Sequence, residues 1–141
     1  MDNQKFKADA GKVDHSLLEL GFPNALAFVE ATLMYGAEKY EANSWRKVPD
    51  AFNRYDKAAR RHRRERDRAM ANYLVGHRRP EHAFVVKDAE SNLPHIAHEL
   101  FNLMAQIELF FQNNPQISVD AMLEYHKPPT EHKNDSNTTT G

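Results

Sequence analysis

The sequence predicts an all-α fold, a compact multi-helix domain with three main helices at about residues 24–40, 54–74 and 94–112. Three observations carry this. Apolar residues recur at helical spacing through all three stretches. Glycine and proline, 5 and 7 of 141 residues, fall mostly between them, where helices start and stop. Alternation of apolar and polar residues, the mark of a half-buried strand, is weak throughout. The length suits one domain with one core, read here as residues 1–126. Residues 127–141 are polar, open on prolines and read as a disordered tail.

Residues 1–15 read as an extended arm with a turn at Asp9-Ala10-Gly11-Lys12, where Gly11 permits positive φ. Lys12 either frays with the terminus or folds over a site to meet a phosphate. Residues 16–20 are apolar and end at Gly21. Pro23 opens the first main helix, with Leu26, Val29, Leu33, Ala37 and Tyr40 on its inner face. Gly36 interrupts that helix at an energetic cost, which predicts close approach by another backbone or a ligand. The following loop, 39–47, holds the single tryptophan among basic groups. Lys39, Tyr40, Asn43, Trp45 and Arg46 offer flat rings for a nucleobase and cations for its phosphates. The rival reading has Trp45 anchoring the loop to the core.

The second helix follows Pro49 and is read from Arg54. Ala58, Ala59, His62, Ala69, Met70 and Tyr73 mark one side. Its arginine-rich stretch, 60–68, reads as a solvated face with local ion pairs. Arg61 and His62 are the two exceptions, assigned to a site. Residues 76–87 read as a loop with an extended patch at 83–86.

Residues 88–102 form the centre of the chain. Pro94 is expected in the first turn of the third helix, with Ser91 or Asn92 as its cap. That helix is apolar around most of its circumference, yet His95, His98, Glu99, Asn102 and Gln106 line one side. Such a polar seam needs partners. Asp88 and Glu90 are candidate Mg²⁺ ligands, or they simply favour the helix N-terminus. His95 and His98, with His62, either hold a transition metal or are hydrogen-bonded core histidines. One of these histidines or Glu99 is the candidate general base. Ser118 is a candidate cap for a last short helix, with Val119, Met122 and Leu123 inward.

Composition narrows the function classes. Without cysteine there are no disulfides and no thiolate chemistry. No apolar run is long enough to span a bilayer, and the polar N-terminus does not read as a secretory signal, so a cytoplasmic protein without membrane contact is expected. The net charge of −1 argues against bulk attachment to nucleic acid. Residues 60–68 leave a salt-dependent nucleic-acid contact as a rival reading. The apolar surface of the third helix predicts a homo-oligomer.

Three pieces in order resemble one family. They are Lys7-Ala8-Asp9-Ala10-Gly11-Lys12 with Leu17-Leu18; Tyr35-Gly36-Ala37-Glu38-Lys39-Tyr40 with Asn43 and Trp45-Arg46; and Asp88 and Glu90-Ser91 leading to Leu93-Pro94-His95-Ile96-Ala97-His98. Together with Arg54-Tyr55 and Arg61-His62 they resemble the small, often phage-encoded dATP/dGTP diphosphohydrolase-like domain over about residues 5–112. The resemblance implies a helical domain that cleaves a purine deoxynucleoside triphosphate to monophosphate and pyrophosphate, in the host cytoplasm if phage-encoded. Such a reaction needs cations for the phosphates and rings for the base, which makes Lys12, Lys39, Tyr40, Asn43, Trp45, Arg46, Arg54 and Arg61 the candidate substrate-binding residues. His62, Glu90, His95 and His98 are the candidate catalytic set, with Asp88 and Glu90 on Mg²⁺, or on Mn²⁺ or another divalent ion. The chain departs from the pattern in a longer, more basic segment between His62 and Asp88. It also lacks the Glu-Glu-x-x-Glu and Glu-x-x-Asp motifs of MazG-like pyrophosphohydrolases. That lack motivates the alternative of a non-catalytic protein that sequesters a nucleotide immune signal.

Overall fold

A computed structural model describes residues 14–76 and 79–123. The arm with Lys12 and the tail 127–141 lie outside the described residues. Five helices are described: α1 (His15–Gly21), α2 (Pro23–Lys39), α3 (Ala51–Val75), α4 (His95–Asn113) and α5 (Val119–Leu123). Two short 3-10 turns, Ser44–Lys47 and Pro80–Val85, join them. No strand occurs among the described residues, as the all-α reading requires.

The α3–α4 pair is the framework. Among the described elements it forms the most extensive packing, and α2 also packs on α4. Small residues allow the approach: Ala59 on α3 and Ala97 and Ala105 on α4 are buried. The turn Pro80–Val85 packs mainly on α3, with Ala83 fully buried. It replaces the extended patch read at 83–86.

Helix starts differ from the sequence reading for local reasons. α3 begins at Ala51, three residues early, because nothing after Pro49 obstructs a helix. Asp50 turns the chain with φ 52° and accepts a hydrogen bond from Asn53 Nδ2 at 2.9 Å. α4 begins at His95, with Pro94 at the cap position in an extended conformation rather than in the first turn. Neither Ser91 nor Asn92 caps it. Asn92 is left-handed, and the His95 amide donates to the Val86 carbonyl at 3.0 Å. Lys87 and Pro94 form an isolated antiparallel bridge that closes the loop between them. Ser118 does cap α5, accepting from the Ala121 amide at 3.3 Å, but Val119, Met122 and Leu123 are exposed rather than inward.

The inner face of α2 is shifted. Val29 and Thr32 are buried, whereas Leu33 and Tyr40 are exposed. A Cβ built on Gly36 meets nothing within 4 Å, so among the described residues no backbone approaches it. The cost of that glycine in a helix is therefore recoverable. Gly36→Ala is expected to raise the unfolding free energy by about 0.5–1 kcal/mol in urea titration. A loss of stability would mean that something beyond the described residues packs there.

Arg66 corrects the reading of the 60–68 stretch. Arg60, Arg63 and Arg68 do make local surface pairs, with Asp56, Asp67 and Glu65. Arg66 instead points inward, its side chain 6% exposed. It donates to Glu99 of α4 at 2.9 Å and lies 5.0 Å from the centre of the Phe84 ring. One residue thereby ties α3 to α4 and to the Pro80–Val85 turn. Glu99, an alternative base in the sequence reading, is committed to this pair.

Candidate active site

Three elements converge beside the N-terminus of α4. His62 comes from the middle of α3. His95 and His98 come from the first turn of α4, one helical turn apart. Asp88 and Ser91 come from the loop that Lys87 and Pro94 close. His62 Nδ1 and His95 Nδ1 stand 2.9 Å apart, close enough for one imidazole to donate to the other. The His62 ring stacks on His98, with centroids 4.6 Å apart and planes inclined by 12°. Tyr35 of α2 meets His98 edge-on at 6.2 Å. His95 and His98 are buried and His62 is partly so.

Asp88 organises the loop. Its Oδ2 accepts from the backbone amides of Glu90 and Ser91 at 3.1 and 2.9 Å and from Ser91 Oγ at 3.1 Å. Burial works against its ionisation, but the Ser91 hydrogen bonds and the nearby His98 and His62 outweigh it, so its carboxyl is held below the ordinary carboxylate value. Ser91 Oγ also lies 2.6 Å from His98 Nε2 and accepts from the Leu93 amide. The ionised carboxylate is the stronger acceptor, so the hydroxyl donates to Asp88 and accepts from His98 Nε2–H. The result is a chain His98–Ser91–Asp88 that fixes the His98 tautomer and leaves its lone pair on Nδ1.

Burial lowers the His98 pKa and, together with His98 and His95, pushes His62 down to about 4. The sign of the consequence is definite. An unfolded His62 titrates near 6.5 and binds more protons than the folded one between that value and about 4. Chelator-treated protein is thus expected to keep this contribution above pH 6.5 and lose it as pH falls, by about 2 kcal/mol after allowing for partial solvent access. His95, His98, Asp88 and Arg61 all face the group. Urea titrations of the native chain and His62→Gln at pH 7 and 5 check it: by pH 5 the native chain should have lost about half of this increment, about 1 kcal/mol, relative to the variant.

The other expected residues sort into two groups. Lys39 at the end of α2 pairs with Glu90 and lies over the Tyr35 and Tyr40 rings. The Lys39 and Tyr35 hydrogen bonds lower the Glu90 pKa. This Tyr35–Lys39–Glu90 group flanks the histidines. Arg61 is exposed next to His62, and Arg54 is exposed a little over two turns earlier on α3. The loop residues lie on another part of α4. Trp45 meets Phe101 edge-on at 6.3 Å, and its backbone carbonyl accepts from Tyr55 Oη at 2.9 Å. Arg46 covers the Trp45 ring at 4.5 Å, and Gln112 donates to the Arg46 carbonyl. Asn43 turns the loop with φ 61°. These contacts are those of a loop anchor.

Ser91 and Tyr35 are functional candidates that the sequence reading missed. Ser91 was assigned to a cap, and only its place three residues after Asp88 hinted at the loop it builds. Tyr35 lies one turn before Lys39 on the same helix face, which was a usable signal. The lower seam needs no ligand: Asn102 and Gln106 donate to the His98 and Asn102 carbonyls of their own helix. Two open concavities of about 420 and 210 Å³ lie away from the cluster, by Tyr73 and by Phe52.

The fold and this centre define an all-α domain with a histidine–carboxylate cluster at a loop-to-helix junction. A family model described as dATP/dGTP diphosphohydrolase, N-terminal, matches residues 2–118, and the chain belongs to that family. No curated protein and no solved structure gave a match. No single helix among the described residues is long and apolar enough to cross a membrane.

Proposed function

We propose that the chain hydrolyses a purine deoxynucleoside triphosphate, dATP or dGTP, to the monophosphate and pyrophosphate. The observation that carries this is the His98–Ser91–Asp88 chain, set beside two further histidines and the cations Lys39 and Arg61 in a chain of this family. The reaction adds water at the α-phosphorus, breaks the bond to the bridging oxygen and releases pyrophosphate. Catalysis requires the phosphate charge to be neutralised and the water to be positioned. Lys39, oriented by Glu90, and Arg61 face the phosphates. His98, with Nε2–H held by Ser91, accepts the proton of the attacking water at Nδ1. Tyr40, exposed just after α2, would offer its ring to the base.

A nucleoside triphosphate arrives with a divalent ion, ordinarily Mg²⁺, which offsets phosphate charge. Mg²⁺ takes oxygen ligands. Of the two carboxylates Asp88 is the one left to meet a divalent ion, because Glu90 is taken up by Lys39 and Tyr35. Chromatography of dATP and dGTP after incubation with the chain and a divalent ion tests the reading. Monophosphate and pyrophosphate in equal amounts support it; intact nucleotide recovered from a tight complex would favour sequestration instead.

Assembly of several copies belongs to the same proposal. Leu103, Met104 and Ile107 of α4 and Met34 of α2 are exposed, Ile107 at 61%. Apolar side chains in that number fit contact with further copies of this chain. Light scattering is expected to give a mass at least twice that of one chain, falling toward one chain in Ile107→Glu.

A further inference from the structure

We propose that His62, His95 and Asp88 form a three-ligand site for a first-row transition ion, selected over Mg²⁺. The inference concerns binding and stands whether or not turnover occurs. Among the described residues, one ligand atom from each of these three lies within 4.8 Å of the other two. The separation of the two imidazoles also permits this. Ligands about 2.1 Å from an ion and at right angles stand about 3.0 Å apart, and His62 Nδ1 and His95 Nδ1 are 2.9 Å apart. Two nitrogen ligands and one carboxylate oxygen favour Mn²⁺, Co²⁺ or Zn²⁺, whereas Mg²⁺ prefers all-oxygen sites.

The surroundings hold these ligands in place. Asp88 is fixed through Oδ2 by Ser91 and the Glu90 amide, which leaves Oδ1 for an ion. His98 stacks on His62 and fixes its plane, and it lies outside the group of mutually close ligand atoms. Such supporting contacts orient ligands and tune the ion. Three protein ligands leave positions open for water or a phosphate oxygen, the arrangement of catalytic rather than structural sites. The competing arrangement is a plain hydrogen bond between His62 and His95 with no ion. The two differ in the protons carried: with an ion both Nδ1 atoms are bare and both Nε2 atoms protonated.

Co²⁺ titration of the full, tag-free chain, treated first with chelator, separates them. One Co²⁺ per chain with visible d–d absorption is expected, together with a raised melting temperature. A hundredfold excess of Mg²⁺ should leave the signal in place, and equimolar Zn²⁺ should remove it. Asp88→Asn, which keeps an oxygen acceptor for the loop amides, and His62→Gln should each weaken binding at least tenfold while circular dichroism stays helical. His15→Ala with His82→Ala should bind as the native chain does. No stoichiometric Co²⁺ on the folded native chain, displacement by Mg²⁺, or binding unchanged in both site variants would overturn the proposal. Binding without hydrolysis would sink the proposed reaction and leave this site standing.

Discussion

Glu99→Ala is expected to lower the unfolding free energy by about 3–5 kcal/mol, the largest stability loss of any single change outside the site. The Arg66 side chain is 6% exposed and that of Glu99 15%. Removing the carboxylate leaves a guanidinium buried without its counter-charge, and Arg66 Nε already has no hydrogen-bond partner among the described residues. Arg63 cannot compensate, since it carries the same charge and reaches Glu99 only at 3.9 Å. A loss of that size is a large share of a small domain's total stability. The double change Arg66→Met with Glu99→Leu removes both charges and is expected to recover most of the loss, because well-packed apolar replacements of a buried pair are commonly neutral. Urea titration checks both. A loss under about 1 kcal/mol in Glu99→Ala would place this pair with the exposed ones.

Asp88→Asn is expected to cut turnover of dATP or dGTP by at least about a hundredfold, on the scale of losing one preorganised charge or donor at a reacting centre. The amide oxygen still accepts from Ser91 and Glu90, so the loop keeps its shape. The charge that draws the Ser91 hydroxyl proton away from His98 is gone, and with it the carboxylate of the proposed ion site. Steady-state kinetics should therefore show kcat falling with little change in melting temperature. Turnover within threefold of the native chain would remove Asp88 from the chemistry.

Much of the fold was legible because helical periodicity is strong where packing is simple. The 54–74 and 94–112 stretches appear as α3 and α4 with ends moved by a few residues, and the α2 bounds moved by one. The failures have physical causes. Periodicity places Leu33 and Tyr40 of α2 inward, but α4 meets a different side of that helix, so they are exposed. Nothing in a run of arginines marks which one turns inward. Arg66 does so because Glu99 and Phe84 meet it from elements distant in sequence.

The site was legible in part. His62, Asp88, His95 and His98 were singled out, and they meet. Their division of labour was not readable, because it depends on Ser91 linking Asp88 to His98 and on Lys39 taking up Glu90 across 51 residues. Trp45 illustrates the reverse. Its neighbours Lys39 and Arg46 suggested a nucleobase platform, yet Phe101, Tyr55 and Arg46 hold it as an anchor.

The most direct test of the account is product analysis with the native chain and Asp88→Asn side by side, each with dATP or dGTP and Mg²⁺ or Mn²⁺. The account predicts monophosphate and pyrophosphate in a one-to-one ratio from the native chain and almost none from the variant. Unchanged triphosphate with both proteins would contradict it.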